Sequence, residues 1–124
     1  MSDLPNKPLG AYSPIRVVDL GVARMVFVSG LTARPDAAPD TGQQARAIFA
    51  TMRALLAGVG GDLRHVVKLG AFLTDMDDYG AYNVVRNEVF GGLAEPPASA
   101  TVGTSRLVRP GCLIEIEAVA VIPR

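Results

Sequence analysis

The last apolar segment of the chain, residues 113–121, carries two carboxylates inside a β-forming run. Side chains along a strand point to opposite faces in turn, so Glu115 and Glu117 share one face with two valines, while Ile114 and Ile116 lie on the other. A plain solvent face would not carry those valines. The pattern therefore predicts carboxylates at the polar end of a partly apolar surface, a setting that raises the pKa of a glutamic acid and suits it to proton transfer. The alternative is a sheet edge on which the glutamates only keep the strand soluble.

The composition predicts a single domain, residues 1–124, that associates with copies of itself. Apolar residues make up 49% of the chain and charged residues 19%, which leaves apolar surface available for association. Twelve basic and twelve acidic residues balance, and no basic stretch could collect phosphates, so we expect no nucleic-acid partner. The single cysteine, Cys112, fits a reducing compartment. Without a leader-like N-terminus or a membrane-length apolar stretch, the chain is predicted to be cytoplasmic and to bind no membrane.

Hydrophobic periodicity predicts the element order β-β-α-β-α-β-β. Strands are expected at residues 15–20, 25–29, 66–73, 98–105 and 113–121, and helices at residues 41–60 and 75–90. Thr41 and Gln44 match a capping box at the start of the first helix. The almost wholly apolar third strand is expected to be covered on both faces. Residues 1–9 are expected to form an extended arm.

Each predicted helix has one apolar stripe, so both helices must lie on one face of a single sheet. The other face then needs a cover, and in a chain this short the obvious cover is another copy of the chain.

Other catalytic chemistries have little support. A Ser-His-Asp hydrolase would need His65, the only histidine, which lies beside Asp62 and is expected to be a loop residue. One histidine and one cysteine are too few for a metal centre, and the glycines at residues 58–61 end a helix instead of opening one around a phosphate. We predict no metal and no cofactor.

Several short motifs follow one another in a recognisable order. They are Gly10-Ala11-Tyr12-Ser13, Val26-Phe27-Val28-Ser29-Gly30, Val66-Val67-Lys68, Phe72-Leu73-Thr74-Asp75, the helical positions Tyr79, Asn83 and Phe90, the Pro97 loop, and Ile114-Glu115-Ile116-Glu117-Ala118-Val119-Ala120. In this register, over residues 8–122, the chain resembles the reactive-intermediate deaminase family, also called RidA/YjgF or endoribonuclease L-PSP.

The resemblance implies a chorismate-mutase-like, two-layer α+β fold with a mixed sheet and two helices on one face. It also implies a homotrimer whose sheets form a barrel, with small-molecule clefts between subunits. Active members hydrolyse enamines and imines such as 2-aminoacrylate to a keto acid and ammonia, without metal or cofactor.

The same resemblance implies residue roles. Glu115 falls on the family's cleft glutamate, which handles the proton or orients the water. Tyr12 falls on the cleft tyrosine, and Ser29 and Gly30 fall on the segment that lines the pocket. Phe90 would supply an apolar wall from a neighbouring subunit.

Ser99 departs from the family pattern. The deaminases carry an arginine in a Pro-Ala-Arg-Ser sequence, where it holds the substrate carboxylate, whereas this chain reads Pro97-Ala98-Ser99-Ala100. A desolvated bidentate guanidinium–carboxylate pair contributes about 2–4 kcal/mol, and serine cannot replace it. We therefore expect 2-aminoacrylate to be a poor substrate, with Ser99 and Thr101 bonding a polar group where the carboxylate would lie.

Three other arginines are candidate substitutes for the missing one. Arg106 follows Ser99 at an odd offset, which on a strand directs it to the opposite face. Arg109 and Arg16 remain candidates only across the trimer, and surface solvation is the alternative for all three. Whether Glu117 reaches the cleft is left open.

Two functions are compatible with these residues. The first is a hydrolase of a small enamine, imine or related C–N compound, in which Glu115 handles the proton or orients the attacking water. The second is a non-catalytic small-molecule-binding or regulatory trimer that uses the same cleft.

Overall fold

The structure is a computed structural model that describes residues 8–124. It is an α+β domain with two helices and one five-stranded mixed sheet, and the predicted element order is confirmed. Part of the predicted N-terminal arm, residues 1–7, lies outside the described residues. The elements are β1 (Ile15–Asp19), β2 (Ala23–Leu31), α1 (Thr41–Ala57), β3 (Val66–Leu73), α2 (Tyr79–Phe90), β4 (Ala98–Gly103) and β5 (Ile114–Pro123).

The C-terminal strand β5 occupies the centre of the sheet, whose strand order is β1-β2-β5-β3-β4. It pairs antiparallel with both β2 and β3, and β4 adds to the outer side of β3 in parallel. A parallel pair needs a crossover connection, and α2 provides it. The strand with the two glutamates thus lies between two others and is not an edge, so the explanation of these glutamates as edge protection is wrong.

Both helices cover one face of the sheet, here called the helix face. On β5 this face carries Ile114, Ile116, Ala118 and Ala120, all less than 5% exposed. The helices contribute fully buried apolar side chains, including Ile48, Met52, Leu56, Tyr82 and Val85. Burying one such Leu or Ile side chain contributes about 1.5–3 kcal/mol, so this layer supplies the main stabilisation of the domain.

The opposite face of the sheet, here called the open face, has no helix on it within residues 8–124. Phe27 is 41% exposed there and Val102 48% exposed. Val67 and Lys68 of β3 are also exposed, so the expectation that β3 is covered on both faces is wrong for the single chain. Antiparallel pairing to β5 allows one strand face to stay open, and that open face carries exposed apolar side chains beside charged ones.

The start of α1 differs from the predicted capping box. Asp40 is the N-cap residue, and its carboxylate accepts a hydrogen bond of 2.8 Å from the backbone N–H of Gln43. Thr41 instead donates to the carboxylate of Asp78. Gln44 is buried, donates to the carbonyls of Ala38 and Gly111 and accepts from the N–H of Leu113. The side chain predicted to cap the helix therefore connects it to the loop before β5.

Several other boundaries differ from the prediction by a few residues. Asp75 caps a short 3₁₀ turn, Met76–Asp78, and α2 itself begins at Tyr79. Helix α1 ends at Ala57, and the left-handed residue is Gly60, with φ of 83°. Strand β4 ends at Gly103, two residues early.

Candidate functional site

Glu115 lines an open cavity of about 500 Å³ at the edge of the open face. The same cavity is lined by Tyr12, Ser29 and Gly30, so the structure brings together four of the predicted site residues. Glu117 and Arg109 also line it. We call this cavity the glutamate cavity; its remaining lining residues are Leu9, Thr32 and Val108.

The carboxylate of Glu115 lies directly against the backbone of Gly30. A Cβ atom at residue 30 would be 2.4 Å from Oε2 of Glu115 and 2.8 Å from its Cδ. The regular pairing of β2 with β5 is interrupted between Val28 and Leu31, next to this contact. Gly30 is therefore needed for close approach, because any larger side chain would occupy the position of the carboxylate. Glu117 lies over Gly70 in a similar but looser contact.

The pKa of Glu115 is raised above its ordinary value. Partial burial is the largest cause, the neighbouring Glu117 carboxylate adds to it, and the Arg109 guanidinium acts in the opposite direction. Removing a carboxylate from water and placing it beside a second negative charge both disfavour its ionised form. A carboxyl group with a raised pKa is better matched to donating and accepting a proton near neutral pH.

One hydrogen bond attaches the segment before β1 to this cavity, and a second lies within that segment. The hydroxyl of Ser29 donates to the carbonyl of Ser13 at 2.5 Å, and the N–H of Leu9 donates to the hydroxyl of Tyr12 at 3.2 Å. Tyr12 itself is 50% exposed, so its ring forms an outer wall of the cavity.

The other predicted site residues line a second open cavity, of about 570 Å³. Phe90, Ser99 and Thr101 belong to it, together with Arg86 and Tyr79. We call it the arginine cavity; its remaining lining residues are Met76, Asn87, Gly91, Pro96 and Pro97.

The sheet separates the two cavities. Ser99 pairs with Leu69, which in turn pairs with Ala118 on the helix face. Glu115 pairs with Phe72 and projects from the open face. Directly paired residues share a face, so Ser99 and Glu115 of one chain lie on opposite sides of the sheet and cannot contact the same small molecule.

Arg86 is the residue that the sequence analysis missed. From α2 its guanidinium donates to the Ser99 hydroxyl at 2.9 Å, to the Tyr79 hydroxyl at 2.6 Å and to Oδ1 of Asn83 at 2.7 Å. Helical spacing of three and seven residues would have placed Asn83 and Tyr79 on the Arg86 face. Nothing in the sequence ties that face to Ser99.

None of the three arginines considered from the sequence, Arg16, Arg106 and Arg109, lines the arginine cavity. Arg109 reaches the glutamate cavity, whereas Arg106 lines a different cavity together with Thr74 and Cys112. Arg16 is exposed and pairs with Phe27 on the open face.

Across residues 8–124, no three His, Cys, Asp or Glu side chains are gathered where they could hold a metal ion. In the same range, no helix is long and apolar enough to cross a membrane.

The structure is thus a small two-layer α+β domain with one open sheet face and a cavity lined by two glutamates. A family model described as Endoribonuclease L-PSP matches residues 4–122. The chain belongs to this family, also called YjgF/RidA, and the resemblance seen in the sequence is confirmed.

Individual relatives agree with this assignment. The chain is 39% identical over 125 residues to protein DfrA of Myxococcus xanthus, covering 97% of this chain and 92% of the relative. It is 35% identical over 118 residues to 3-aminoacrylate deaminase RutC of Acinetobacter baylyi, covering 91% and 88%. A crystal structure of a YjgF/YER057c/UK114 family member from Mycobacterium tuberculosis superposes with a TM-score of 0.73 at 25% identity, covering 87% of this chain and 99% of that one.

Proposed function

We propose that this protein is a hydrolase that converts a small enamine or imine to a carbonyl compound and ammonia. The observation that carries the proposal is the half-buried Glu115 carboxyl, with a raised pKa, in an open cavity against Gly30. The deaminase name of a 35% identical relative is consistent with this chemistry.

Glu115 would act first as a base and then as an acid. Its carboxylate accepts a proton from water as the water oxygen attacks the carbon of the protonated imine, giving a neutral carbinolamine. The protonated carboxyl then returns the proton to the nitrogen. The C–N bond breaks as the C=O bond forms, ammonia leaves, and the carboxylate takes the hydroxyl proton, with which it protonates the next imine. An enamine gives the same protonated imine by taking a proton at carbon. The balance is imine plus water to carbonyl plus ammonia, and no metal or cofactor is required.

A homotrimer would complete the site. Because the two cavities of one chain lie on opposite sides of the sheet, a cleft containing both Glu115 and Ser99 must take them from two subunits. The apolar open face, with Phe27 and Val102 exposed, gives the subunits a surface on which to associate. In such a cleft Phe90 and Thr101 would form part of the neighbour's wall.

Serine at position 99 is expected to change the substrate. It removes the strand-borne guanidinium of the related deaminases, so we propose that 2-aminoacrylate is not an efficient substrate. Ser99 and Thr101 would instead hydrogen-bond a polar group of the ligand. The protein is proposed to act in the cytoplasm, in line with its single, buried and unpaired Cys112.

The altered position 99 also favours a second candidate, a non-catalytic trimer that binds a small molecule in the same cleft. The two candidates differ in turnover, since only a hydrolase releases ammonia.

The test is ammonia release from enzymatically generated imines, both carboxylated and neutral. Replacing Glu115→Gln keeps the shape of the side chain and removes the base, so the rate should fall about 10²- to 10⁴-fold. Asp36→Asn, the same chemical change at an exposed loop residue, is the matched control and should have no effect. Ligand binding by the wild type without any ammonia release would instead identify the non-catalytic trimer.

A further inference from the structure

Arg86 is a partly buried cation that lines a cavity without a carboxylate partner among residues 8–124. Its three hydrogen-bond acceptors are the neutral side chains of Ser99, Tyr79 and Asn83. The guanidinium carbon also lies 5.5 Å from the ring centre of Tyr79 and 5.0 Å from that of Tyr82. These contacts hold the group in place but leave its charge uncompensated.

Donor capacity remains on the guanidinium. Arginine has five N–H donors, and three are used in the contacts described above. The Nε–H and one Nη1–H are therefore left for a ligand in the arginine cavity. They lie on different edges of the planar guanidinium, so each can donate one charge-assisted hydrogen bond to an anion such as a carboxylate.

A second polar group at the same place has no partner. The hydroxyl of Tyr82 is fully buried and makes no hydrogen bond to any residue within 8–124. Burial raises its pKa, while the nearby Arg86 guanidinium and Ser99 act in the opposite direction, which places this hydroxyl beside them. An unsatisfied buried hydroxyl is costly, and its presence next to Arg86 indicates a region whose polar groups are not all satisfied by the protein.

We propose that Arg86 is the anion-binding residue of the cleft and that the substrate carries a carboxylate. The guanidinium of Arg86 reaches the cavity from α2, whereas the arginine of the related deaminases lies on β4. Ser99 accepts a hydrogen bond from Arg86 and holds it in position, so Ser99 itself does not contact the carboxylate. This inference rests on the proposed inter-subunit cleft and names the substrate class: carboxylated imines whose carboxylate lies where a helix-borne guanidinium can reach it. Serine at position 99 therefore argues against 2-aminoacrylate and not against every anionic substrate.

The test measures binding and needs no turnover. Pyruvate and levulinate are stable keto acids that resemble hydrolysis products, and their methyl esters have the same carbon skeletons without the charge. Titration calorimetry on the whole chain, in its native assembly, compares each acid with its ester. We expect Arg86→Gln to weaken binding of at least one acid about 10- to 100-fold and to leave its ester unchanged. Acid binding by the wild type should also weaken as salt rises.

Two further variants separate anion binding from a structural role. Arg53→Gln removes the same charge from an exposed position of α1 and should leave binding unchanged. The double variant Arg86→Gln/Ser99→Arg returns a guanidinium to the cavity from β4 and should restore selectivity for the acid.

Equal loss of acid and ester binding in Arg86→Gln would overturn the proposal, because it would show that Arg86 only supports the fold. Wild-type protein that prefers neither acid to its ester would overturn it as well. The proposed hydrolysis fails on a different result, unchanged ammonia release in Glu115→Gln, so the two failures are distinguishable.

Discussion

A substitution at Gly30 can displace the carboxylate of Glu115 while leaving Glu115 itself unchanged. In Gly30→Ala the new Cβ would lie 2.4 Å from Oε2 of Glu115, whereas ordinary van der Waals contact begins at 3.4 Å. The carboxylate must therefore move by about 1 Å, and a displacement of that size in a catalytic group costs about 10²-fold in rate. Gly30 does not have a positive φ, so its backbone accepts alanine.

Stability should respond far less than activity. The atoms that must move belong to the end of a flexible side chain, and the free energy of unfolding should change by no more than about 1 kcal/mol. The assay compares kcat/KM for imine hydrolysis with urea unfolding of the same samples. Gly70→Ala is the matched control, because its Cβ would contact Glu117 instead, at 3.0 Å or more. Full activity in Gly30→Ala, with the fold intact, would refute the argument that Glu115 works from this position.

Three further outcomes are expected. The Glu117 carboxylate raises the pKa of Glu115, so Glu117→Gln should lower that pKa. The rising limb of the kcat/KM pH profile should then move to lower pH, and an unmoved limb would exclude Glu115 as the titrating base. In Gly80→Ala of α2 the new Cβ meets no atom within 4 Å, so the free energy of unfolding measured in urea should rise by about 0.5–1 kcal/mol. A fall in this free energy would mean that another subunit occupies this face of α2 in the assembly. An equal mixture of Glu115→Gln and Arg86→Gln subunits, reassembled at random into trimers, should regain about one quarter of wild-type ammonia release, because that share of clefts has both groups intact. No recovery would contradict the inter-subunit cleft.

The strands and helices could be predicted because their signals are local. Alternation along β5 depends only on neighbouring residues, and it correctly placed Glu115 and Glu117 on one face. The apolar stripe of α1 and the β3 bounds, Val66–Leu73, likewise follow from short-range spacing. The cap of α1 was predicted wrongly because Gln44, although well spaced from Thr41, has better partners in the loop before β5, which only folding brings near.

The sequence by itself determined the family, the element order and the face on which the carboxylates lie. Only the tertiary structure placed Glu115 against Gly30, separated Ser99 from Glu115 by the sheet, and brought Arg86 to Ser99 across thirteen residues of chain. These relations depend on strand register and on the packing of α2 beside β4. Both are set by the burial of the whole core, which no local pattern contains.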